Sequence, residues 1–206
     1  MSESFEKYCE LRDDKDKAFY IYKDCKRRWM NQDSEEISEI QRESSEIYIL
    51  WPNTNNDDFV GVLESVNKCG KCNNLSPIIV YRGEVSFMWM GDLEGDFLDK
   101  IKDDIDFEEV DVLFAPHHGR KSGHSPRDVL EKLNPQIIVV GEAPSKDLDY
   151  YSGYNTITQN SSGDIIFDIN DYCADVYVGN NNYSVGFLAD KKKYRYDNYI
   201  GSFQRR

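Results

Sequence analysis

The spacing of apolar positions changes character near residue 45 of the chain. Before that point apolar side chains are sparse and sit among charges. Phe5, Tyr8 and Leu11, then Phe19 and Tyr22, recur at helical intervals, which predicts a polar helical segment over residues 1–44. It divides into SFEKYCELRDDKDKAFYIYKDCKRRWM and SEEISEIQRES, the second so poor in apolar residues that it suits a linker or an exposed helix. After it the apolar runs become short and dense. EIYILWP (46–52) predicts a buried strand stopped by proline, and SPIIVY and VSFMWMG predict a hairpin turned by RGE. Runs this continuous belong to central strands.

DFVGVLESVNK predicts a short helix. LEGDFLDKIKDD predicts another, with Leu93, Phe97, Leu98 and Ile101 at helical spacing. VDVLFAP and PQIIVVGE predict two more strands. Between them SPRDVLEKL predicts a helix capped by Ser125, with Pro126 at its first position. From Tyr150 onward the chain is rich in Tyr, Asn, Gly and Ser, with strand-like runs at GDIIFDI, CADVYVG and YSVGFL. Strand, hairpin, helix, strand, helix, strand over 46–141 is an α/β order with mixed strand directions.

Length adds that 206 residues hold one domain, or one domain with an appendage. The 14 Tyr and 10 Phe separate the chain from disordered sequences even at 31% charged residues. A net charge of -13 opposes nonspecific association of the whole surface with nucleic acid, leaving a local basic groove or a metal-bridged contact as the available routes. The charge is uneven. Residues 190–206 form a basic aromatic tail, where Lys191, Lys192, Lys193, Arg195, Arg205 and Arg206 interleave with tyrosines against Asp190 and Asp197. That composition suits nucleic acid, an acidic partner or the chain's own acidic body. The five cysteines are scattered, MSESFEKYCE has neither the basic start nor the apolar stretch of a leader, and no apolar run is long enough to span a bilayer. The expectation is a protein of the reducing cytoplasm without membrane contact.

Candidate chemistry concentrates at two strand ends. MWMGDLEGD ends a strand at Gly91 and follows it with Asp92, a carboxylate placed to reach a metal at a sheet edge or to cap the next helix. FAPHHGRKSGHS ends a strand at Pro116 and follows it with His117, His118 and Gly119. With His124, this stretch holds all three histidines of the chain. Imidazole is the commonest metal ligand among side chains, and glycine permits a tight turn beside an ion. On an extended segment adjacent histidines point to opposite sides, so the expectation is that one ligates while the other supports it or contacts substrate. A polar surface loop is the competing explanation. The turn Cys69-x-x-Cys72 lacks the second ligand pair of a structural zinc site. There is no G-x-x-x-x-G-K-[ST], G-x-G-x-x-G or G-x-S-x-G.

Taken in order, SPIIVYRGEVSFMWMGDLEGDFLDKI, VDVLFAPHHGRKSGHSP, LNPQIIVVGEAPS and NTITQNSSGDIIFDI resemble the C-terminal half of metallo-β-lactamase-fold hydrolases. The branch they are most similar to is that of the hydrolase domain of ComEC competence proteins. The likeness covers roughly residues 46–170. It implies part of an αββα sandwich over residues 45–189. It implies Asp92 as a carboxylate bridging two Zn²⁺ (or Mn²⁺) ions, and His117 or His118 as a ligand. Asp92 and His118 would carry catalysis, and Lys121, Ser122 and His124 would face substrate phosphate. The family's principal motif, H-x-H-x-D-H, belongs to the missing N-terminal half, and this chain has no histidine before His117. DYYSGYNT likewise stands where that branch carries a further histidine. A dinuclear site needs roughly three to four protein ligands per metal, which this set does not supply. Two expectations follow. In one, a separate polypeptide completes a split metal-dependent phosphodiesterase acting on nucleic acid. In the other, the chain is an inactive binding or regulatory subunit of a larger defence or DNA-processing complex. Half a fold also leaves a sheet edge and face that the N-terminal segment or a partner must cover.

Overall fold

Strand-length apolar runs with both faces buried become the centre of a six-stranded sheet in the computed structural model of the chain, which describes residues 3–33, 43–69, 71–170, 172–193 and 195–206. The strands are β1 (Ile47–Trp51), β2 (Ile78–Arg82), β3 (Ser86–Trp89), β4 (Val112–Phe114), β5 (Ile137–Val140) and β6 (Thr156–Thr158), in that spatial order. β1, β2 and β3 pair antiparallel, whereas β3 to β6 run parallel. The pleat sorts their side chains by alternation. Met88, Leu113, Ile138 and Val140 face a core shared with helices α2 (Asp57–Cys69), α3 (Gly95–Ile101) and α4 (Arg127–Leu133). Phe87, Val112, Ile137, Val139 and Ile157 face a second core. That core is closed by a three-stranded antiparallel sheet of β7 (Ile165–Asn170), β8 (Cys173–Val178) and β9 (Tyr199–Gln204). The architecture is α/β, with layers in the order helices, mixed sheet, small sheet.

Four sequence expectations need correction. Only Glu3–Asp13 (α1) of the first polar piece is helical, and it buries no residue. Beyond it Asp14 turns the chain by accepting from the Asp16 amide at 3.0 Å, and Asp24 and Trp29 adopt left-handed φ of 62° and 66°, which no helix tolerates. Most of the second piece, residues 34–42, lies outside the described residues, as does Gly70 of the Cys69-x-x-Cys72 turn. Ser125 caps no helix: α4 starts at Arg127, and the Ser125 hydroxyl is buried without a hydrogen bond. YSVGFL forms no strand. The ninth strand is instead YIGSFQ, inside the supposed tail.

The chain itself covers the β1 edge of the large sheet and part of the outer face of the small one. Along β1, the Lys23 amide donates to Pro52 O (2.7 Å), the Asp24 amide to Ile49 O (3.1 Å) and the Ile47 amide to Met30 O (2.9 Å), with Cys25 buried beneath. Over the outer face of the small sheet, Tyr177 is enclosed by the rings of Tyr196 and Tyr199, at 5.2 and 5.5 Å. Buried Asp175 accepts from Ser202 Oγ at 2.5 Å and pairs with Lys193 at 3.5 Å.

Candidate functional site

Parallel strands bring their C-terminal ends to one edge of a sheet, where ligand sites in open α/β folds lie. Here the loops after β3, β4 and β5 deliver Asp92, the Pro116–Gly119 turn and Gly141 to that edge. The β3 loop is held by Gly91 in a left-handed conformation (φ 54°), where a Cβ would stand 2.7 Å from Ser76 Cβ, so glycine is required. Ser76 Oγ accepts from the Asp92 amide at 3.0 Å. Asp92 therefore caps no helix: α3 begins later, at Gly95, and the carboxylate is left for other work.

The β4 loop is less ordinary. His117 and His118 both take left-handed backbone (φ 49° and 61°), followed by Gly119 at φ 83°. The adjacent histidines thus sit in a coiled turn and not on the extended segment expected for them, and the outcome is still a division of labour. The His118 ring turns to Asp92, with Nε2 at 3.5 Å from Oδ1, both side chains about half exposed. The His117 ring turns away and meets Ser122 Oγ through Nδ1 at 3.1 Å. The His117 amide donates to Gly91 O at 2.8 Å, tying the two loops together. Gly141 closes the arrangement: a Cβ there would lie 3.0 Å from His118 Nδ1.

Beside this pair lies a cleft of about 320 Å³. Its floor is aromatic and aliphatic, with Trp89 and Phe114 stacked at 5.0 Å between ring centroids and Ile165 opposite. Asp92, His118 and Gln159 form its polar rim. The other sequence candidates stand elsewhere. Lys121, Ser122 and His124 line a separate, more open groove with Glu94, Asp96, Asp99 and Asp147. His124 stacks on Tyr150 at 3.9 Å, and burial holds its imidazole below the ordinary 6.5, opposed by the Asp147 backbone and charge. Tyr151, edge-on to the same ring, has its hydroxyl pushed up by burial. What sequence reasoning missed was Trp89, Phe114 and Gln159, whose common signal is a position at or just after the C-terminal end of a parallel strand.

The donor set bears directly on a metal. Asp92 Oδ1 and His118 Nε2 are oxygen and nitrogen donors suited to Zn²⁺ or Mn²⁺ and converge on one space. Among the described residues no group of three His, Cys, Asp or Glu side chains could hold an ion together. Two donors alone do not hold two ions. Also among the described residues, no helix is long and apolar enough to cross a membrane. No protein-family model matches the chain, and no curated protein matches it.

Proposed function

We propose that the chain is one half of a partner-completed, metal-dependent hydrolase, with phosphodiesters of nucleic acid as substrate class. The observation that carries this is the Asp92–His118 pair at 3.5 Å on the C-terminal edge of parallel strands, half exposed and beside a cleft. A second polypeptide bearing H-x-H-x-D-H supplies the remaining ligands. Ions bound there would supply an acidified water and positive charge beside the phosphoryl oxygens. In this chain Asp92 and His118 would hold their half of the ligand set, Gly91 and Ser76 fix the backbone of the loop that carries the carboxylate, and Trp89 and Phe114 line one flank.

The test is turnover of a chromogenic phosphodiester with Zn²⁺ or Mn²⁺, by the purified chain and by the chain co-expressed with a neighbouring gene product carrying H-x-H-x-D-H. The chain alone is expected to be inactive. The pair is expected to be active and to lose at least about a hundredfold with Asp92→Ala, as expected when a metal-holding group is removed. Robust cleavage by the chain alone, or activity of the pair indifferent to Asp92→Ala, sinks the proposal. The count of two donors favours a second reading, an inactive binding or regulatory subunit. A stable complex without turnover in any metal supports that reading.

A further inference from the structure

The covering of the β1 edge does more than satisfy backbone groups. Lys17–Met30 reads KAFYIYKDCKRRWM. It carries Lys17, Lys23, Lys26, Arg27 and Arg28 against Asp24 alone, a net charge of +4 in a chain of net charge -13. Its backbone is pinned to the sheet at Pro52, Ile49 and Ile47, and internally by Asn31, which donates to Cys25 O at 2.8 Å and accepts from the Arg27 amide at 3.0 Å. Its aromatic rings nonetheless face solvent, while Cys25 is buried. Tyr20 is 73% exposed, Tyr22 and Trp29 46% each, and Phe19 38%. The Arg27 guanidinium lies over the Phe19 ring at 4.4 Å and that of Arg28 over Trp29 at 5.0 Å. Lys17 pairs with Asp14 at 2.9 Å and Lys23 with Asp106 at 3.7 Å, whereas among the described residues neither arginine, nor Lys26, forms an ion pair with a carboxylate.

Flat rings and guanidinium planes, laid out on a fixed backbone with excess positive charge, match one ligand chemistry: a polyanion with planar bases free to stack. A duplex hides its bases, and an acidic peptide offers charge without flat rings at every step. We infer that the Lys17–Met30 surface binds single-stranded nucleic acid, with Lys26, Arg27 and Arg28 on the phosphates and Phe19, Tyr20 and Tyr22 stacking on bases. The inference does not rest on the Asp92–His118 site. It can fail while the phosphodiester test succeeds, and the reverse.

Fluorescence anisotropy of the full chain with labelled oligonucleotides of about 12 nucleotides, within the usual range of site sizes, tests it. Single-stranded DNA or RNA is expected to bind at least about tenfold more tightly than the duplex of the same sequence, with separate DNA and RNA arms showing which source is preferred. Arg27→Ala with Arg28→Ala is expected to weaken binding and flatten its salt dependence, since fewer counterions are released. Tyr20→Ala with Tyr22→Ala is expected to weaken it about tenfold at an unchanged salt slope, on a chain whose circular dichroism is unaltered. Absence of binding, equal binding of duplex, silence of the tyrosine variants, or equal competition by polyglutamate would each overturn the inference, the last by marking a surface for acidic protein.

Discussion

Two stretches of this chain share a composition and differ in fate. KAFYIYKDCKRRWM near the N-terminus and KKKYRYDNYIGSFQRR at the C-terminus both interleave bases with aromatic rings. At the C-terminus, Lys193 pairs with Asp175, Arg195 with Asp168, and Arg206 donates to Asn134 O, while Phe203 sinks into the core against Phe167. At the N-terminus the rings stand in solvent, and Arg27 and Arg28 lie over aromatics. The difference lies in what the neighbouring strand offers. Asp175 on β8 and Asp168 on β7 take up Lys193 and Arg195, while Lys191, Lys192 and Arg205 pair with no carboxylate among the described residues. β1 offers the N-terminal stretch only backbone groups, and of its cations Lys17 and Lys23 reach Asp14 and Asp106 while Lys26, Arg27 and Arg28 reach no carboxylate among the described residues. Basic-aromatic composition therefore marks a candidate ligand surface where exposed rings stand beside cations that the fold leaves without a carboxylate.

The contrast breaks most visibly at Phe203, which is 9% exposed. Phe203→Ala is expected to cost about 3–5 kcal/mol of unfolding free energy in a urea titration, the usual range for an aromatic removed from a core. A cost near zero would mean that the C-terminal strand is as peripheral as the N-terminal stretch. Asp175→Ala comes next. It strands the Ser202 and Tyr199 hydroxyls, which share its hydrogen-bond chain, and is expected to cost about 1–3 kcal/mol in the same titration. Acid sharpens the contrast between buried and exposed groups. Burial lowers the His124 pKa in the folded chain, so the unfolded chain takes up a proton that the folded chain refuses. The stability this contributes is present above the ordinary 6.5 and falls as pH drops below it, and His124→Phe should flatten that part of a pH series of melting curves. Lys193→Ala with Arg195→Ala should change oligonucleotide affinity less than about twofold, because those cations are already paired. The smallest effect is expected at Tyr20→Ala, which should shift unfolding by no more than about 0.5 kcal/mol, as for surface substitutions in general.

Much of the fold was legible because side-chain pattern determined it. The runs in EIYILWP, SPIIVY, VSFMWMG, VDVLFAP and PQIIVVGE became β1 to β5, and alternate residues on them separate into the two cores. Asp92 and His118 were legible as strand-end residues, and the structure brings them together. The elements that were missed lack such a pattern. β9 reads poorly because Gly201 and Ser202 interrupt its apolar residues, and Ser202 is buried with its hydroxyl hydrogen-bonded to Asp175 and Tyr199. The N-terminal stretch attaches to β1 through backbone amides, which leave no mark on side-chain periodicity. The turn at His117 and His118 was hidden for a related reason. Left-handed backbone at two successive non-glycine residues is sterically costly and is imposed by surroundings, here Gly91 O, Gly123 and Gly141 packed against the turn.

The hydrogen bond from the His117 amide to Gly91 O, at 2.8 Å, has a kinetic meaning. It joins the loop carrying the carboxylate to the loop carrying the imidazole, so the entropy lost in aligning the two groups is lost during folding and not on encounter. Whatever docks at this edge meets a surface already in register. A ligand docking there would need no ordering of these two loops in series with its encounter.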